Sequence, residues 1–255
     1  MENQKIEPWM YKIKGENFAL FLGICLAVLI GYFFYTINLW VLIFLVILGL
    51  IYIKLIQAQE LGNSIRVYEN QFPEIFEIFK KQAIGLEIEK ANIYIKQDPY
   101  LNAFTIGFGT CTIILNSALV EQLTLKELSF VIGHELGHFK TGHTKITTFI
   151  NPLGQGNIFS NFVFGFWQRK AEYTCDRCGL LLTKDIDSAI STIIKLSLGE
   201  KLFKQFEIEG YIPQLKKADS GLVKSSELLI SHPTTANRVR NIINYWNENF
   251  KLKKQ

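Results

Sequence analysis

From Asn17 to Ile53 no side chain carries a charge, an uninterrupted run of 37 residues. One bilayer-spanning helix needs about 20 apolar residues, so the run is too long for a single span and nearly right for two. Asn38, after Thr36 and Ile37, is the position suited to a turn. The pattern predicts helices over about 18–36 and 39–55 with a very tight connection, a transmembrane hairpin. Core helices of soluble domains rarely stay apolar on every side for this length. A cleaved signal peptide has a shorter apolar region followed by a small-residue cleavage site. Lys5, Lys12 and Lys14 precede the first span and Lys54 follows the second, while the turn holds no basic residue. The positive-inside rule then places both ends on the cytoplasmic side. Three parts result: a cytoplasmic N-terminal tail over 1–16, the hairpin over 17–56, and a domain over 57–255.

Hydrophobic residues make up 49% of the chain, enough for a large core and too many for disorder. The net charge of +4 is dispersed, without the concentrated basic stripe that nucleic-acid binding needs. The Lys-rich end (Lys251, Lys253, Lys254) reads as a solvated tail. Of the four cysteines, Cys25 falls inside the apolar run, so no disulfide framework is apparent, and reduced thiols are expected. Cys175 and Cys178 form a C-x-x-C pair, but the second pair of a zinc ribbon is missing and no thioredoxin-like βαβ pattern surrounds it.

Beyond the hairpin the pattern is α+β and mostly helical. Residues 56–70 read as a juxtamembrane helix, and Pro73 opens an amphipathic helix to about 85. Strand-like runs follow at Ala91–Lys96, Ala103–Phe108 and Cys111–Leu115, the last two arranged as a hairpin. Asn116–Leu123 reads as a short helix. Thr124-Leu-Lys-Glu127 has the form of a capping box and predicts a helix from 125 to about Gly142. Between Thr144 and Phe166 a loop is expected around residues 151–157 (NPLGQGN). Helices resume at about 167–182, 185–198 and 235–250. The apolar patch Phe159–Trp167 reads as interfacial and not as a third span.

The capped helix contains His134-Glu135-Leu136-Gly137-His138. Residues four apart on a helix lie about 40° apart around its axis, so both imidazoles project from one side. Two neutral imidazoles at this spacing can hold one Zn²⁺, with Glu135 placed to take a proton from a metal-bound water. Three ionisable groups among Leu125, Phe130, Val131, Ile132 and Leu136 would be costly to bury without a metal or charge partner.

A catalytic zinc needs a third protein ligand and an open position. His143 is five residues past His138, about 140° round the helix and off the ligand face. Glu172 and Asp176 are again four apart, on a downstream helix. Glu172 is the better ligand, and Asp176 the partner that accepts the spare N–H of a ligand imidazole. His143 is expected to be structural.

These pieces resemble the membrane zinc metalloprotease family of HtpX and the CAAX prenyl endopeptidases, a gluzincin-type group of HExxH peptidases. The matching segments are Gly133–His138 with His143, Glu172-Tyr-Thr-Cys-Asp176-Arg177, Asn102-Ala103-Phe104, and Ser231-His-Pro233 followed by Arg238, in family order across about 73–245. The resemblance implies a gluzincin-like domain with a small sheet beside the HExxH helix. It implies one zinc per chain on His134, His138 and Glu172, with Glu135 as general base and acid and Asp176 supporting the ligands. It further implies that His232 steadies an oxyanion, that Arg238 holds that loop, and that Asn102–Phe104 edges the cleft where an extended substrate adds as a strand. On its own, a histidine before proline is more often a surface turn. Two departures stand out. Only 33 residues separate His138 from Glu172, leaving no room for the second transmembrane hairpin of several members, and Cys175 stands where alanine is usual.

The function implied is that of an integral-membrane zinc endopeptidase acting on protein or peptide substrates, plausibly in protein quality control. The alternative is a membrane-anchored, non-catalytic zinc or partner-binding module. The sequence leaves the substrate and the oligomeric state open.

Overall fold

The computed structural model describes residues 5–107, 109–150, 158–217 and 232–251. Helix α1 (Glu16–Ile37) and helix α2 (Leu39–Gly62) are joined by the single residue Asn38. Its Oδ1 accepts from the backbone N–H groups of Trp40 (2.9 Å) and Val41 (3.4 Å), capping α2. Both helices are long and apolar enough to cross a membrane, and only 11% and 6% of their most apolar windows are buried. A soluble core helix would hide these residues against protein; here Phe33, Phe44, Val46 and Leu48 face outward, which suits lipid.

The expected helix over 56–70 holds as far as Gly62 and fails beyond it. α2 ends at Gly62, and Ser64–Arg66 forms strand β1, antiparallel to β2 (Ala91–Lys96) with Ile65 opposite Ile95. Cross-strand pairing outweighs the local helical pattern over these three residues. Helix α3 (Pro73–Gly85) begins at its proline, as expected. β3 (Ala103–Ile106) and β4 (Cys111–Asn116) form the hairpin, with Phe104 opposite Ile114, and β4 runs parallel to β2. The sheet order is β1-β2-β4-β3. Thus β4 is buried along its whole length while β3 is an edge. The expected β3 reached to Phe108, which lies outside the described residues, as do 151–157, Ser231, Lys253 and Lys254.

After α4 (Ser117–Gln122), helix α5 (Leu125–Lys140) starts with the capping box: Glu127 Oε2 accepts from the Thr124 backbone N–H at 2.8 Å, and Thr124 Oγ1 accepts from Glu127 N–H at 3.4 Å. Helices flank the loop expected around 151–157: α6 spans His143–Ile150, where no element was expected, and α7 runs Ile158–Thr183, beginning before the expected 167. The patch before Trp167 is helical because α1 supplies its partner: Val163, Phe164 and Trp167 bury against Ala19 with Leu20, Leu26 and Ile30 beside them. Phe162 and Phe166 on the same helix stay exposed.

Helices α5 and α7 pack closely because their contact is built from small residues. A Cβ on Gly137 would come within 2.9 Å of Cys178 Cβ, and one on Gly179 within 2.7 Å of the Phe130 carbonyl oxygen. Helices α8 (Ile186–Leu198), α9 (Glu200–Phe203), α10 (Ile208–Lys217) and α11 (Thr235–Trp246) follow, with α8 and α11 closing a second core around Phe130 and Leu180. The segment before α1 packs into the first core through Ile6, Met10 and the fully buried Tyr11. Tyr245 on α11 fastens it by donating to the Met10 carbonyl at 2.8 Å.

Candidate active site

The capping box fixes where α5 starts, and its apolar face sets its rotation, so His134 and His138 turn together toward α7. There they meet Glu172. His134 Nε2 lies 3.5 Å from Glu172 Oε2, His138 Nε2 lies 3.4 Å from Glu172 Oε1, and the two Nε2 atoms are 3.1 Å apart. A tetrahedral zinc with donors at about 2.1 Å sets those donors about 3.4 Å from one another. The three atoms therefore fit zinc in number, kind and spacing. His134, Glu135 and Glu172 are buried, and His138 is partly so.

The supporting groups are equally well defined. Asp176 Oδ1 is 3.0 Å from His134 Nδ1, the nitrogen facing away from Glu172, and so fixes the tautomer that leaves Nε2 free for a metal. Arg238 on α11 engages Asp176 with two bonds, Nη2 to Oδ1 at 2.6 Å and Nε to Oδ2 at 2.9 Å. Burial opposes charge on Asp176, yet Arg238 and His134 hold its pKa below the ordinary value. Burial likewise opposes charge on Glu172, but His232, His138 and His134 hold its carboxyl well below the usual carboxylate range. Burial also works against charge on His138, and Glu172 with Glu135 raises its pKa nonetheless. Three histidines (His134, His138, His232) and three carboxylates (Glu135, Glu172, Asp176) thus converge here.

Glu135 faces the opposite wall. Thr105 on β3 donates to Glu135 Oε2 at 2.8 Å, and its Oγ1 is also 3.2 Å from the Glu135 carbonyl oxygen. The sequence reading missed Thr105. Its signal was alternation, since Thr105 shares a strand face with Ala103 while Phe104 points the other way. His232, more than half exposed, stands at the mouth with Nδ1 3.3 Å from Glu172 Oε2, and Glu172 raises its pKa. A cleft of about 300 Å³ joins these residues to Asn102, Ala103 and Phe104, with apolar walls that include Val131 and Leu119. All ten residues singled out in the sequence for the site line this cleft or stand directly behind its lining, as Asp176 does.

His143 is absent from the donor trio but touches it: its Nδ1 is 3.3 Å from His138 Nδ1. Its Nε2 is 2.9 Å from Glu16 Oε1, at the start of α1. Burial keeps the His143 pKa below the ordinary histidine value although Glu16 pulls upward. His138, His143 and Cys175 form a second convergent set. Burial holds the Cys175 thiol well above its usual range, and pushes Cys178 up to about 12. Cys175 and Cys178 are fully buried and do not line the cleft, whereas Glu172 does, so Glu172 completes the donor set that opens onto it.

Comparison with known proteins identifies the family. The model of Peptidase family M48 matches residues 69–166 and 153–245. The chain is 28% identical over 230 residues to the plastoglobule-localized metallopeptidase 48 of Arabidopsis thaliana chloroplasts, covering 81% of this chain and 66% of that protein. It is 28% identical over 135 residues to a protease HtpX homolog of Streptococcus pyogenes, covering 52% of this chain and 41% of that protein. The chain thus spans less than two thirds of the length of these curated relatives. Among solved structures, the S. mikatae Ste24p crystal structure aligns with a TM-score of 0.49 at 17% identity, over 80% of this chain and 57% of that one. The family match runs through both histidines of the capped helix, Glu172 and Arg238, and the chain belongs to Peptidase family M48.

Proposed function

We propose that the chain is a membrane-anchored zinc endopeptidase that hydrolyses peptide bonds of protein or peptide substrates, with its catalytic domain on the cytoplasmic side and a role in protein quality control. The observation that carries the chemistry is the spacing of His134, His138 and Glu172 at tetrahedral-zinc distances, with Glu135 beside them in one cleft. The basic residues flanking both apolar helices support the orientation.

When bound, zinc supplies Lewis acidity, polarising a carbonyl and making a water proton easier to remove. His134, His138 and Glu172 would hold it, and Asp176 with Arg238 keeps the His134 ring in place. Glu135 takes the proton from the attacking water and returns it to the leaving amine nitrogen, and the Thr105 hydroxyl holds the carboxylate toward the cleft. His232 at the mouth donates to the developing oxyanion. The free edge of β3 offers backbone donors and acceptors to a substrate strand laid past the metal. The apolar cleft wall excludes water from that strand.

The test pairs metal analysis of the purified full chain with Glu135→Gln. About one zinc per chain is expected in both proteins, with casein cleavage or self-cleavage in the wild type only. Zinc in both with equal cleavage rejects the mechanism. Zinc in both with no cleavage by either favours a non-catalytic module.

A further inference from the structure

Each of the two imidazoles proposed to bind zinc has its outward nitrogen backed by protein, and the two backings differ in origin. His134 Nδ1 meets Asp176 directly. His138 Nδ1 meets His143, whose far nitrogen meets Glu16. Glu16 lies on the first turn of α1, 127 residues before His143, and its side chain is 2% exposed. A carboxylate this deep is strongly destabilising unless every oxygen is satisfied. Lys12 Nζ stands 3.2 Å from Oε1, the Thr174 hydroxyl donates to Oε2, and the Ile13 backbone N–H donates to Thr174 Oγ1 at 3.1 Å.

The protons of this chain can be assigned. A His138 that gives Nε2 to a metal must carry its proton on Nδ1, pointing at His143 Nδ1. His143 then accepts there and donates Nε2–H to Glu16. A neutral ring does both at once, and Trp167 holds it edge-on at 5.6 Å between centroids. The result is an unbroken line from the metal ligand to the base of the membrane hairpin.

We infer that Glu16 is a positioning residue for the metal centre, acting through His143 to fix the ring and tautomer of His138, so that the metal is gripped fully only when α1 is docked on α6 and α7. This rests on the proposed metal-binding role of His138. The hairpin is thereby part of the site as well as its anchor.

The experiment measures zinc affinity by chelator competition on the full chain in detergent, with cobalt absorption as a second report on ligand geometry. Glu16→Leu and His143→Phe preserve volume and break the line; each is expected to weaken zinc about 10–100-fold and to shift the cobalt bands. Because they break the same line, the double variant should be no worse than His143→Phe by more than about threefold. Glu16→Gln, whose amide oxygen still accepts from His143, should recover most of the affinity. Zinc affinity of Glu16→Leu within about twofold of wild type overturns the inference. Should Glu16→Leu fail to fold, an unchanged affinity in His143→Phe does the same. A wild type that takes up no zinc would overturn the metal reading itself, a different result from zinc retained at full strength in the variants.

Discussion

The membrane hairpin and the α5–α7 pair are both helix pairs, yet they are held by opposite means. In α2, and on the face of α1 turned away from α7, most side chains are apolar and exposed, so composition specifies the surface and individual residues matter little. In α5 and α7 the contact is made of glycines and buried ionisable groups, each with defined partners at defined distances. A helix defined by its solvent tolerates exchange; a helix pair defined by its partners does not. Glu16 is where the two regimes meet, a partner-defined residue at the foot of a solvent-defined helix.

The most severe break should come from Glu172→Ala, which removes the anionic ligand and leaves two imidazoles. Loss of zinc and at least about a thousandfold loss of peptide hydrolysis are expected, read by metal analysis and a fluorogenic peptide assay. Asp176→Asn should come next. It keeps the shape but leaves the half-buried Arg238 without its main counter-charge, so a stability loss of up to about 3 kcal/mol is expected alongside a roughly 10–100-fold weaker grip on zinc. Thermal melts with and without chelator separate the two effects.

Thr105→Val tests the other wall. It should lower kcat about tenfold or less with KM little changed, because the hydroxyl orients Glu135 and not the substrate. Glu127 offers a pH test away from the metal. Burial opposes its charge, but Ser191, Thr124 and Lys195 hold its pKa below the ordinary value. A depressed folded-state pKa gives stability that is present above the unfolded value of about 4.3 and is lost as pH falls through the folded one. Glu127→Gln should therefore cost about 1–2 kcal/mol near neutrality, and the gap to wild type should narrow below about pH 4. The smallest effect belongs to the hairpin, where Phe44→Leu should change stability by less than about 0.5 kcal/mol. A large effect there would mean that this face packs against protein.

The same contrast explains what was legible in the chain. The hairpin, the Pro73 helix, the Thr124–Glu127 capping box and the histidine pair are local signals, visible in a few residues whatever lies around them. β1 was read as helix because only its pairing with β2 makes it a strand. α6 and the first turns of α7 were not assigned as helix because β-branched and apolar residues there gain their helical order from α1. Thr105 and Glu16 escaped notice for the same reason: a threonine in a strand and a glutamate before an apolar run become site residues only when the fold brings Glu135 and His143 to them. Long-range partnership has no signature in one segment.

The central claim, that one zinc sits between two imidazoles and a carboxylate, is tested most directly by X-ray absorption at the zinc edge on the purified full chain. The expected spectrum has two imidazoles and oxygen donors at about 2.0–2.1 Å and no sulfur. Sulfur at about 2.3 Å would place the metal on the His138, His143 and Cys175 set and contradict it.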